Sequence, residues 1–99
     1  MSRKGMNRNA GSTLVGTSSG LLIGGNMLRW AILISAPNTN RVTLNFQGPA
    51  ALDLGITLYP GRDPLWLLYD RLGEAIHEDI FAIADTVAQQ IGWMEILFG

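Results

Sequence analysis

Cysteine is absent from the 99 residues, so no disulfide can staple the fold and no thiolate can hold a metal. Histidine occurs once, and charged residues make up only 15% of the chain, against a typical share of roughly 25%. One sign of charge is missing from half the molecule: no Asp or Glu precedes Asp53. Long apolar runs are missing too. The longest, Met27 to Ile34, is short and interrupted by Arg29, which excludes a membrane-crossing helix. Arg3 and Lys4 imitate the start of a secretory signal. Thr13 to Gly25, however, is too rich in Gly, Ser and Thr to supply the apolar stretch such a signal needs.

What is present is largely apolar, with 47% hydrophobic residues. A chain of this length forms one domain and buries somewhat over ~60% of the surface its unfolded form exposes. With so few charges, it lacks the polar groups to cover its own exterior, and apolar area left outside a domain usually becomes an interface. The expected state is an oligomer, or a subunit docked on something larger. The net charge of −1 conceals an asymmetry, with the basic residues Arg3, Lys4, Arg8, Arg29 and Arg41 early and all eight acids from Asp53 onward. Three charges in the first eight residues are too few to favour nucleic acid as the partner.

Residues 1–12 show no apolar periodicity and are expected to form an extended amino-terminal arm ahead of a single domain at 13–99. From Ser12 onward, short apolar stretches alternate with turn residues. One or two strands fill Ser12 to Ile23, broken by Gly16 and Gly20, and Gly24-Gly25-Asn26 makes a turn. Trp30 to Ser35 follows, with Trp30, Ile32 and Ile34 on one face. In Arg41 to Phe46, Val42, Leu44 and Phe46 alternate with Arg41, Thr43 and Asn45 as a half-buried strand requires. Ile56 to Tyr59 is a further strand, Pro60-Gly61 suits the centre of a type II turn, and Leu65 to Tyr69 resumes as an almost wholly apolar strand. Such spacing predicts an antiparallel β-sandwich or small barrel of about seven or eight short strands.

Beyond Asp70 the pattern has two readings. Leu72, Ile76, Ile80, Ile83, Val87 and Ile91 recur at spacings of three and four, which suits a helix near 71–90 and an α+β fold. The other reading is a loop over 70–79, a strand over 80–84, a turn and a last strand over 91–98.

Little could carry catalysis. His77 lies beside Glu74, Glu78 and Asp79, but adjacent residues point their ligands in divergent directions on a helix or a strand, so no metal site is expected. Ser18-Ser19-Gly20 lacks the strand–elbow–helix context of a nucleophile. Gly20 to Asn26 lacks the Lys-Ser/Thr sequel of a phosphate loop. Asp53, Asp63, Asp70 and Asp85 sit beside turns, where Asp bonds nearby backbone. No catalytic residue and no cofactor is expected. The aromatics could stack bases or sugars, but such platforms come with interleaved Lys and Arg, and only Arg29 stands beside a tryptophan.

The order of segments resembles that of small β-sandwich virion proteins of bacteriophages, of the capsid-decoration or head-fibre type. The likeness runs through Ser18-Ser19-Gly20-Leu21-Leu22 and Gly25-Asn26, then a hydrophobic strand with Arg29, Val42 to Gly48, and Gly55 to Gly61. It closes on Ile80-Phe81-Ala82-Ile83-Ala84 and a strand ending in Trp93-Met94-Glu95. It spans about residues 17–96 and favours strands at 80–84 and 91–98 over the helix. Residues 70–79 are longer and more helix-like than that pattern.

The resemblance implies a structural virion protein on the capsid surface, binding the major capsid protein as a decoration or head-fibre subunit, and itself as a dimer or trimer. The residues expected at its partner interface are Arg3, Lys4, Arg8, Trp66 and Leu68. Alternatives are a carbohydrate- or single-strand nucleic-acid-binding β module, or a tail or neck adaptor.

Overall fold

The computed structural model of the chain describes residues 7–98. Among them eight strands form: β1 (Asn7–Val15), β2 (Gly20–Ile23), β3 (Arg29–Ile34), β4 (Val42–Phe46), β5 (Ile56–Leu58), β6 (Leu65–Leu68), β7 (Ile80–Ala84) and β8 (Gln89–Leu97). Between β6 and β7 lie a one-turn helix, α1 (Tyr69–Leu72), and a 3₁₀ turn over Gly73–His77. The first sheet has strand order β1-β8-β3-β6 and the second β2-β7-β4-β5, with all neighbours antiparallel. The all-β expectation holds, as a two-sheet sandwich.

The long helix near 71–90 does not form. Its stripe is produced by four different elements that feed one core, the last being β8 through Ile91. Leu72 packs against the core from α1, Ile76 fills it from the 3₁₀ turn, and Ile80, Ala82 and Ala84 enter it from alternate positions of β7. Val87, the stripe's fifth member, stands 56% exposed in the β7–β8 turn. Periodicity counts apolar positions without knowing which surface buries each, so a short helix followed by a strand can imitate a long helix.

The segment expected as an arm divides. Residues 1–6, including Arg3 and Lys4, lie outside the described residues, while Asn7–Ser12 belong to β1 and pair with β8 from Asn7↔Leu97 to Ser12↔Gly92. Every side chain from Asn7 to Ser12 is exposed, so no buried alternation betrays the strand. Its backbone bonds to β8 do the holding. Gly11 gives its neighbour room, because a Cβ there would come within 2.8 Å of the Trp93 ring, which lies across it.

The core sits between the sheets. Val15, Ile32, Ile34, Leu67 and Ile91 face inward from the first, and Val42, Leu44, Leu58, Ile80, Ala82 and Ala84 from the second. Each large side chain buried here contributes on the order of 1.5–3 kcal/mol.

Candidate docking surface

Alternation along a strand sends every second side chain away from the core. In the first sheet those outward positions carry apolar groups. The pairings Ala10↔Met94, Leu33↔Met94 and Leu33↔Trp66 align Ala10, Met94, Leu33 and Trp66 in one row across four strands. Arg8, Ile96, Ala31 and Leu68 form the next row by the same registers. Trp66 is 52% exposed, while Leu33, Leu68, Met94 and Ile96 are half-buried. Beside the first row, Gly92 and Ser35 are small, and an open trough of about 310 Å³ results, walled by Leu33, Met94 and Pro64.

Of the residues expected at a partner interface, Arg8, Trp66 and Leu68 share this face. Arg8 stands on β1 and the other two on β6, three strand spacings away, or about 14 Å. Leu33, Met94 and Ile96 were not singled out in the sequence. The signal was there: Ala31-Ile32-Leu33-Ile34 is apolar at both parities, and a strand apolar at both parities has two faces to cover.

Strand β8 hides its logic. Glu95, its only charge, faces inward and is 3% exposed, while Met94 and Ile96 face out. The cause is Arg29. Its Nε donates to Glu95 Oε2 at 2.7 Å, and its terminal nitrogens donate to the carbonyls of Ile76 (2.9 Å), Glu78 (3.2 Å) and Gly24. Asn9 Nδ2 donates to the other Glu95 oxygen at 3.0 Å, tying β1 to the cluster. Arg29 reaches the interior because β3 shifts register between Arg29 and Ala31, leaving Trp30 as an extra residue. Without that bulge Arg29 would share the outward parity of Ala31 and Leu33. Trp30 instead packs against Phe98, their ring centres 6.2 Å apart.

The acidic stretch around the single histidine is a local network. Glu74 accepts from the Tyr69 hydroxyl at 2.9 Å and bonds His77 Nδ1 at 3.1 Å, and the Tyr69 and His77 rings lie 5.5 Å apart. The hydrogen bond to Glu74, more than its charge, holds the Tyr69 hydroxyl above its ordinary pKa. Among the described residues no three His, Cys, Asp or Glu side chains are grouped to hold a metal ion. None of the helices there is long and apolar enough to cross a membrane. A smaller depression of about 170 Å³ lies where β5 and β6 edge the two sheets, with Tyr59, Arg62 and Pro64 in its lining. It holds one exposed aromatic beside one cation, which is less than the series of platforms a base-stacking groove presents.

No family model matches the chain, and no curated protein matches it. Among solved structures it is similar to a Bacillus endospore appendage protein, from a family of disulfide-linked pili. The two superpose with a TM-score of 0.57 over 94% of this chain and 85% of that one, at 10% sequence identity. At that identity the likeness concerns the fold.

Proposed function

We propose that this chain is a structural subunit of a bacteriophage virion, docking on the major capsid protein through the outward face of the first sheet. The observation that carries the reading is the pair of rows on that face, Ala10-Met94-Leu33-Trp66 and Arg8-Ile96-Ala31-Leu68, in which Arg8 is the one charge. A monomer that stays in solution has little reason to leave a tryptophan half exposed among half-buried Leu, Met and Ile side chains. The capsid protein as occupant is supported by the resemblance of the segment order to that of small phage virion sandwiches. In this reading Trp66 is the anchor, the trough beside it receives an apolar side chain of the capsid, and Arg8 orients the contact from the far edge.

Heads prepared without this protein, mixed with the purified chain and sedimented, test the reading. Wild type should saturate the heads. Trp66→Ser combined with Leu68→Ser should weaken binding about tenfold or more while leaving a folded protein by circular dichroism. Undiminished binding by that variant, or no binding by wild type, overturns the reading. A deletion of residues 1–11 would not serve as a test, because it removes Asn7–Gly11, five of the nine residues of β1.

The likeness to a pilus protein favours a second reading, a subunit of a fibre. A chain without cysteine would need noncovalent contacts where those pili are disulfide-linked. Filaments of purified protein under the electron microscope would favour the fibre over the capsid.

A further inference from the structure

Four strands border the two sheets: β1 and β6 in the first, β2 and β5 in the second. Natural sheets blunt their borders with short strands, prolines, bulges or flanking elements, because an open border offers unpaired N–H and C=O groups to any passing strand. Three of the four borders here are blunted in these ways. β6 has four residues, follows Pro64 and runs directly into α1. β5 has three residues. β2 has four, with a register shift between Leu21 and Ile23. β1 differs. It has nine residues, no proline, and an unbroken register against β8. Its end is closed against the second sheet, where Thr13 Oγ1 donates to the Leu22 carbonyl at 2.8 Å and the Gly16 carbonyl accepts from the Ala84 N–H at 2.8 Å. Asn7–Ser12 remain exposed, with no strand beyond them among the described residues.

We infer that this border is a self-association site, at which β1 pairs antiparallel with β1 of a second copy about a two-fold axis at Ala10. The inference rests on the reading of the chain as a structural subunit and names the contact between its copies. Paired residues must share a face, so a two-fold axis perpendicular to the sheet has to pass through a residue rather than between two. An axis at Arg8 would set guanidinium against guanidinium. One at Asn9 would set Arg8 against the mate's Ala10 and end the apolar row in a charge. With the axis at Ala10, Arg8 faces the hydroxyl of Ser12, Asn9 faces Gly11, and the small side chains of the two Ala10 residues meet. The row Ala10-Met94-Leu33-Trp66 then runs on into its copy, and two four-stranded sheets become one of eight strands. The outward apolar faces of both copies merge into one docking surface.

Sedimentation equilibrium of the full chain over a concentration series tests the contact. Wild type should form a dimer. Ala10→Glu sets two carboxylates in opposition across the axis and should raise the dimer dissociation constant about tenfold or more, and Ala10→Lys should do the same. At concentrations below the wild-type dissociation constant, where all forms are monomers, both variants should melt as wild type does, since Ala10 is exposed. Mixing the two in equal amounts should restore the wild-type constant, which a general loss of structure could not do. A wild type that stays monomeric at about 1 mM, an Ala10→Glu variant that dimerises more tightly through Arg8, or a mixture that fails to recover would overturn it. Failure here is distinguishable from failure of the docking reading. A monomer that binds heads through Trp66 sinks only the pairing, and a dimer whose Trp66→Ser/Leu68→Ser form still binds heads sinks only the docking.

Discussion

Thr43 points away from the core of the second sheet and is nevertheless completely buried, whereas Trp66, pointing away from the core of the first, is 52% exposed. The difference lies in what the chain does with its own loops. The segment from Gln47 to Gly55 folds back over β4. The Asp53 N–H donates to Thr43 Oγ1 at 2.9 Å, the Ala50 N–H to Ser19 Oγ at 2.8 Å, and Asn45 Nδ2 to the Pro49 carbonyl at 3.0 Å. Arg41 clamps the cover from below, bonding both Asp53 oxygens and reaching Asp85. Of the two outward rows of the first sheet only Ala31 is buried, while Leu33, Leu68, Met94 and Ile96 stay half-buried and Trp66 exposed. The outward face of the second sheet is covered by the chain's own loop, and most of that of the first is not. Inside the sandwich the contrast reverses: the first sheet carries the buried charges of Arg29 and Glu95, while the second is lined by apolar side chains.

The largest effect should come from breaking that buried pair. Glu95→Ala strands the Arg29 guanidinium in the interior and should cost about 3–5 kcal/mol in urea denaturation. Glu95→Gln, which keeps one acceptor oxygen for Arg29 and turns its amide nitrogen toward Asn9, should lose clearly less. If both variants are as stable as wild type, the first sheet does not depend on its buried charge.

A smaller loss should follow from disturbing the cover of the second sheet. Gly55 adopts φ +129°, and a Cβ there would be driven against the Leu44 carbonyl oxygen. Gly55→Ala should therefore cost about 1–3 kcal/mol and raise hydrogen exchange of the Asp53 amide, with the first sheet's amides unchanged. Uniform exchange across both sheets would show that the cover is not a separate unit.

The smallest effect is electrostatic. The hydrogen bond from Arg41 holds the Asp53 carboxyl below its ordinary pKa, against a weaker push from desolvation. A carboxylate with a lowered folded pKa adds stability that is complete above the unfolded value and is lost as pH falls through the folded one. The contribution should thus be present at neutral pH and fade below about pH 4. Asp53→Asn should flatten that part of the acid limb in a melting-temperature profile, and an unaltered limb would assign the acid sensitivity elsewhere. The Asp53 side chain is more than half exposed, so the change should be the least of the three.

Much of this was legible in the residues. Val42, Leu44 and Phe46 announced β4 by alternation, and the Pro60-Gly61 turn stands where expected, with Gly61 at φ +75°. That Trp66 and Leu68 lie on the face away from the core could be foreseen, because a strand apolar at both parities must use both faces. Asn7–Ser12 could not be recognised as a strand, since ladder bonds to β8 hold them and leave no apolar trace. The burial of Glu95 left no local sign either, because a lone acid in an apolar strand ordinarily takes the solvent side.

By itself, then, the sequence determined a mostly β domain, a sandwich or small barrel, free of disulfides and poor in charge. Tertiary structure alone decided which of two apolar faces would be interior. A single extra residue at Trp30 turns Arg29 inward, Glu95 follows it, and Met94, Ile96 and Leu33 are left facing out. Strand parity is a local property, but the side of the sheet that is buried depends on a partner some 66 residues away in the chain, which no local pattern encodes.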